Sequence, residues 1–359
     1  MPRDDDRSER RGAVTLRHIA ERVGVSVATV SRVLNYDPTL SVGDATRQSV
    51  IETAEAMNYE PRRRKPRLVA AGSVKRIALL HFRTPDSEFR DPYFVAMRLG
   101  IESRCAALQV EVTKIYRSHD GAVPQIPREV RGIIVIGWHA ETEMAALRAR
   151  NVPIVCVDWH PPGDGIDMVG SDLRLATEKL LTALDELGYR RIAMAGWAED
   201  HAPTKREPRA RAYAAWMNER GRFDERLLVL GENSEESGHS VAGLLLDRNP
   251  RPDALIVTND TMAMGAYRAI HERGLKIPQD IAVASFNDIS AARFLSPPLT
   301  TVRLPAETIG RQAVDLLAER FAGRDLARQV NIETKIVWRG STRAPAAPGA
   351  DAGRLPASG

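Results

Sequence analysis

Apolar residues recur at helical spacing from Thr15 to Tyr59, and the run breaks at Gly24, at Pro38 and around Gly43. Three short helices in a small bundle follow from that spacing. From Arg76 onward the pattern changes. Short apolar runs at 77–82, 110–116, 133–137, 154–158, 192–195, 254–258 and 281–286 are bounded by turn residues, and most precede a stretch of helical period. Parallel sheets wound by crossover helices produce this alternation, and two such sheets fit the count better than one. The expected class is therefore α/β: an all-α head followed by a core of two subdomains, each a doubly wound parallel sheet. No short period repeats along the chain, which excludes a solenoid.

Residues 1–13 are polar and aperiodic, and residues 343–359 are mostly Ala, Pro and Gly, so both ends are expected to be disordered. Between them the expected boundaries are a head at 14–61, a basic linker at 62–75 and a core at 76–342. A formal charge of +4 says little by itself, but five of the six residues from Arg62 to Arg67 are basic and Lys75 and Arg76 follow. A block of that kind either solubilises a linker or faces phosphates. Cys105 and Cys156 each sit in a run that reads as buried, as reduced core thiols do, so neither a disulfide nor a metal site is expected. No window approaches the roughly 18–20 apolar residues of a membrane span, and the charged start is unlike a signal peptide. The chain is accordingly placed in the cytoplasm, on the nucleoid, with no membrane partner. It also lacks a nucleotide-binding Gly-rich loop, a nucleophile elbow and a metal-ligand cluster, so no cofactor and no enzymatic activity are expected.

The segment from Thr15 to Asn35 reads TLRHIAERVGVSVATVSRVLN. Thr15 can cap one helix and Ser26 a second, with Gly24 at the turn between them, which is helix-turn-helix spacing. Leu16, Ile19, Ala20 and Val23 form one apolar stripe; Val25, Val30, Val33 and Leu34 form its counterpart. The opposite face carries Val27, Ala28, Thr29 and Arg32. Short side chains plus one long cation let a helix lie close to base edges in a major groove, where Val27 and Ala28 meet thymine methyls and Arg32 reaches a guanine or a phosphate. Ser26 and Ser41, near helix starts, suit phosphate contacts that set register.

VSVATVSRVLN, the Pro-containing loop after it, residues 46–59 (TRQSVIETAEAMNY) and Pro61 together resemble the head of the lac repressor family at nearly every position. The resemblance implies a homodimer on a pseudo-palindromic double-stranded operator, with Thr15, Ser26, Val27, Ala28, Thr29, Arg32, Asn35 and Ser41 at the DNA. Its Val-Ala pair is similar to that of galactose repressors. By spacing, Leu68 matches the leucine that the family wedges into the minor groove from a hinge helix, an unstacking offset by the wider contact of kinked DNA. Arg62 stands where the family has Asn, and Pro66 is compatible with a helix only near its first turn.

The resemblance continues through residues 91–94 (DPYF), Asp158, Asp172, residues 258–288, residues 297–303 (PPLTTVR) and residues 338–342 (WRGST), the last similar to the family's final strand. It implies a core like periplasmic sugar-binding proteins and an effector held by Tyr93, Asp158, Arg209, Asn259 and Asn287. Arg209 before Tyr213 matches the family's ligand-gripping arginine; Arg206 and Arg211 are rivals. Independently of the resemblance, ligands of parallel sheets bind at the carboxyl ends of strands, where Asp158, Asn259 and Asn287 fall. Carboxylates, amides and guanidinium groups each make two directed hydrogen bonds, which suits a sugar.

Plainer roles compete with these. Asp260 reads as the cap of the helix from Thr261, Asn259 as a turn residue and Asp158 as a surface loop residue. The aromatic rings of Tyr93, Trp138, Trp159, Trp197 and Phe286 serve core packing as readily as sugar stacking. Asn233 takes the place of the lac repressor's sugar-stacking Trp, and Asn287 the place of a common Asp. A sugar-binding transport protein or a corepressor-type regulator of a non-sugar ligand would use the same core. Residues after Thr342 lack the leucine heptad of the family's tetramers, so the expected assembly is a dimer.

Overall fold

The computed structural model describes residues 15–34, 42–57, 59, 75–117, 125–197 and 207–343. Two units result, divided after Val69.

In the head, α1 (Leu16–Val23), α2 (Val27–Leu34) and α3 (Asp44–Ala56) pack on Ile19, Ala20, Val30, Val33, Val50 and Ala54, joined by Leu16, Val23, Val25 and Leu34. The two predicted apolar stripes therefore meet. Gly24 makes the turn: its φ of 74° is left-handed, and its N–H donates to Ala20 O at 2.9 Å.

The core has two lobes. Strands β1 (Arg76–His81), β2 (Glu111–Tyr116), β3 (Gly132–Ile136), β4 (Ile154–Val157), β5 (Asp167–Gly170) and β11 (Gln329–Asn331) form the first sheet, in the order β11-β5-β4-β3-β1-β2. Every neighbouring pair in it is parallel. The second sheet comprises β6 (Ile192–Trp197), β7 (Leu228–Gly231), β8 (Ala254–Val257), β9 (Ala282–Asn287), β10 (Thr300–Arg303) and β12 (Lys335–Val337), in the order β12-β10-β9-β8-β6-β7. Only its β10–β12 pair is antiparallel. All five residues of β3 are buried, as a strand covered by helices on both faces requires.

Helices α4 (Pro85–Phe89), α5 (Pro92–Ala107), α6 (Glu141–Arg148) and α11 (Ala306–Phe321) belong to the first lobe; α7 (Leu173–Glu186), α8 (Pro208–Glu219), α9 (Glu235–Leu246) and α10 (Asp260–Glu272) belong to the second. Where α5 crosses α11 the backbones touch. A Cβ at Gly100 would strike the Glu307 carbonyl, and one at Gly310 the Met97 carbonyl, so only glycine permits the approach. The chain passes between lobes three times, after β5, β10 and β11. Two crossings are tied together: Ser171 Oγ donates to Ile332 O at 2.9 Å, and Ile332 N to Gly170 O at 2.8 Å.

Several expectations need correction. Residues 338–342 are not the final strand; they follow β12, and Ser341 there donates to Val283 O and receives Thr300 N. Short strands such as β5, β7, β11 and β12 escaped the pattern because three or four residues carry too little periodicity. The core also extends one residue further at each end. Lys75 O accepts from Glu111 N at 2.9 Å, and Arg343 N donates to Tyr189 Oη at 3.0 Å. Both ends that the sequence leads one to expect disordered, the rest of the linker, Asn35, Ser41 and Leu68 lie outside the described residues. Cys105 and Cys156 are free and buried, and burial pushes both thiols up to about 12, which keeps them inert.

Candidate functional site

In the head the site is the start of α2. Ser26 Oγ accepts from Thr29 N at 3.0 Å and contacts Thr29 Oγ1 at 2.9 Å, so Ser26 caps the helix and Thr29 is half-buried and engaged in that cap. Ser26, Val27, Ala28 and Arg32 stay exposed, while Val30 and Val33 face the core. Burying one side of an eight-residue helix thus leaves the other presented. Thr15 precedes α1 and is exposed, its N–H donating to His18 Nδ1 at 3.3 Å.

In the core the site is the cleft at the carboxyl ends of both sheets. Asp158 follows β4 with φ 58°, and Asn287 ends β9 with φ 109°, conformations that side chains other than glycine rarely adopt. Tyr93, brought by the start of α5, donates its hydroxyl to Asp158 Oδ1 at 3.2 Å. Arg209, in the first turn of α8, is 7% exposed. Its Nε donates to Glu207 Oε1 at 2.6 Å and its Nη1 to Thr258 O at 2.7 Å, and it lies 5.5 Å from the Phe286 ring centroid. A guanidinium has five N–H groups, so two bonds leave three without a partner among the described residues. The other predicted candidates separate from it: Arg211 is exposed, and Arg206 lies outside the described residues.

Asn259 caps α10, its Oδ1 accepting from Met262 N at 2.8 Å, so the cap is Asn259 and not Asp260. Asp260 is buried and receives Thr301 Oγ1 at 2.8 Å, Ile289 N at 2.8 Å and Ser285 Oγ. It therefore fixes the loop that carries Asn287, whose side chain has no hydrogen-bond partner among the described residues. Asn259 Nδ2 donates to Asn233 Oδ1 at 2.7 Å, and Asn233 Nδ2 reaches across the cleft to Asp91 Oδ2 at 2.9 Å. Asp91 also caps α5, accepting Tyr93 N at 3.2 Å.

These contacts run as an open polar chain from Arg209 through Thr258, Asn259, Asn233, Asp91 and Tyr93 to Asp158. Burial pushes Asp158 up to about 6, with Arg209 and the Tyr93 hydroxyl pulling it down. Burial likewise raises Tyr93 well above the phenol range, so it is a neutral donor. Donors, acceptors and a cation sit together here with few alternative partners, which is what a polyhydroxylated ligand needs.

Sequence reasoning missed Glu207, Asp91 and Arg83 as site residues. Glu207 orients Arg209 while accepting Ala210 N at 2.6 Å, and Glu-Pro before a helix was a visible capping signal. Arg83 spans the lobes, 5.3 Å from the Trp197 ring centroid, and nothing in its local sequence marks it. Tyr93 and Phe286 are buried, whereas Trp138, Trp159 and Trp197 are half-buried. Among the described residues no group of acids, histidines and cysteines is placed to hold a metal, and no helix is long and apolar enough to cross a membrane.

Comparison with known proteins identifies both parts of the chain. Residues 15–62 match the model of the lacI family of bacterial regulatory proteins, and residues 181–342 that of a periplasmic binding protein-like domain. The HTH-type transcriptional repressor MelR of Bacillus subtilis (strain 168) is 35% identical over 337 residues, covering 91% of this chain and 97% of MelR. The transcriptional regulator CelR in complex with cellobiose superposes with TM-score 0.66 at 26% identity, covering 91% of this chain and 99% of CelR. The lac repressor dimer bound to operator and an anti-inducer gives TM-score 0.64 at 25% identity over 93% of this chain and 100% of that one. The chain belongs to the lacI family, whose members are DNA-binding transcription regulators and not enzymes.

Proposed function

We propose that this chain represses transcription by binding a pseudo-palindromic operator as a homodimer, reading bases with Val27, Ala28 and Arg32, and that a sugar bound in the cleft controls its grip. The observation that carries the reading is Arg209, buried among Glu207, Thr258 and Phe286 with three N–H groups that no described residue accepts. A buried cation with unused donors beside a carboxylate is costly unless a ligand meets it, and a sugar's vicinal hydroxyls do so. The cellobiose held by one structural neighbour and the operator held by another support the two halves of the reading. A galactoside is the first candidate, and the cytoplasm, on the nucleoid, is the expected location. Thr29 supports the cap of α2, and Thr15 and Ser26 meet phosphates; Asn35, Ser41 and Leu68 complete the DNA contacts expected from the sequence.

The sign of control follows from differential affinity. An effector that binds the DNA-incompetent arrangement more tightly induces; one that prefers the competent arrangement is a corepressor. Footprinting the chain's own promoter region with and without galactosides tests the reading. Protection of a two-fold symmetric site that a galactoside changes is the expected result, and protection indifferent to every sugar overturns the effector assignment. Thermal-shift screening of sugars against nucleobases identifies the ligand class, since binding to the folded state alone raises Tm.

A further inference from the structure

One link of this polar chain joins the two lobes directly, side chain to side chain. Asn259 spends its oxygen on the cap of α10, so its amide nitrogen is the end that meets Asn233. Asn233 then turns its oxygen to Asn259 and its nitrogen to Asp91, in the opposite lobe. Asp91 keeps its second oxygen on Tyr93 N. Each orientation is forced from the backbone outward, so the relay has one hydrogen-bonding sense and no alternative flip. It joins the N-terminus of the 13-residue α10 to that of the 16-residue α5, each helix dipole favouring the carboxylate between them. Arg83 Nη2 lies 3.9 Å from the same Asp91 oxygen and its guanidinium reaches over Trp197, a second contact between lobes at that place.

We propose that Asn233 and Asp91 form a latch that shuts the cleft before an effector arrives. The proposal rests on the functional reading only in taking the cleft as the effector's entrance. An effector then meets a closed protein, enters during openings and binds with an apparent affinity that latch strength sets. Position 233, in the turn between β7 and α9, thereby governs access instead of supplying a stacking surface.

Spin labels at Asp86→Cys and Ser240→Cys test this in the full chain. Both positions are exposed, one on α4 and one on α9, and the native Cys105 and Cys156 are buried and remain unlabelled. With the doubly labelled chain diluted in an excess of unlabelled chain, so that each dimer carries one labelled protomer, pulsed electron resonance without added ligand is expected to show one short interlobe distance. N233D sets two carboxylates against each other, and a longer-distance population should become dominant. D91N puts an amide where an acceptor is needed and should open the cleft in part. The double variant D91N/N233D reverses the sense of the bridge: the new carboxylate at 233 accepts from Asn259 and from the new amide at 91, so the short distance should return. If N233D stays closed, or the double variant opens as far as N233D alone, the latch is wrong. Calorimetric sugar titrations of the same proteins are read separately. Rescue of closure with no sugar binding in any variant discards the sugar reading and keeps the latch; normal sugar binding with unchanged distances discards the latch alone.

Discussion

The two helix starts to which the proposed functions are assigned are built in opposite ways. At the start of α2, Val27 is 44% exposed; at the start of α8, Arg209 is 7% exposed and bonded to both a side chain and a backbone carbonyl. A DNA-reading surface is completed only by its partner, so its residues can change without much cost to the fold. A cleft that recognises a small polar molecule must desolvate its groups beforehand, so its residues belong to the fold as well as to the function.

Substitutions can break that contrast, and the largest effect is expected in the cleft. Arg209→Ala leaves Glu207 and Asp158 without their cation, and losing one partner of a buried pair costs about 3–5 kcal/mol. Effector affinity should fall at least about 100-fold and Tm should drop, while operator affinity without effector stays the same; an intact effector response in reporter or binding assays would remove Arg209 from the site. Asp158→Asn separates function from stability. Because the folded carboxyl titrates near 6, above its ordinary 3.8, the native state of the parent loses stability as pH rises from about 4 to about 6. The amide has no such loss, so the variant should be the more stable by up to about 3 kcal/mol above pH 6, with the gap shrinking toward pH 4 in urea melts, and should bind effector more weakly.

Smaller effects are expected in the head. Arg32→Ala should weaken operator binding by about 1–3 kcal/mol and relax base choice, with the Tm of the core unchanged. An unaltered binding-site profile would exclude Arg32 from the reading set. Ser26→Ala removes the cap of α2 and should destabilise the head by about 1 kcal/mol, measurable by thermal melting. Val27→Ala should change operator preference with stability shifted by less than about 0.5 kcal/mol. A large stability loss at Val27 would mean that the two helix starts are not built differently after all.

The same contrast explains what the residues reveal before folding. The helix-turn-helix was legible because its cap, turn and stripe all fall within a score of residues, each at a spacing that local physics dictates. In the core the long apolar strands were legible for the same reason, whereas Arg209 was singled out only by the resemblance to the family. Asp91 and Asn233 are 142 positions apart and meet only through topology, so neither announced the other. Asp260 was misread as a cap because Asp and Asn serve that role equally; its burial against Ser285 and Thr301 depends on strands that follow it in the chain.

The threefold passage of the chain between lobes bears on biosynthesis. The first sheet lacks α11 and β11 until about 160 further residues have been made beyond β5, which at ribosomal speeds of about 5–20 residues per second takes on the order of 10–30 s. During that interval the head has already emerged whole. A nascent chain would thus acquire the means to touch DNA before it owns a finished sensor, and a chain cut short between β10 and α11 would carry a head whose first lobe can never be completed.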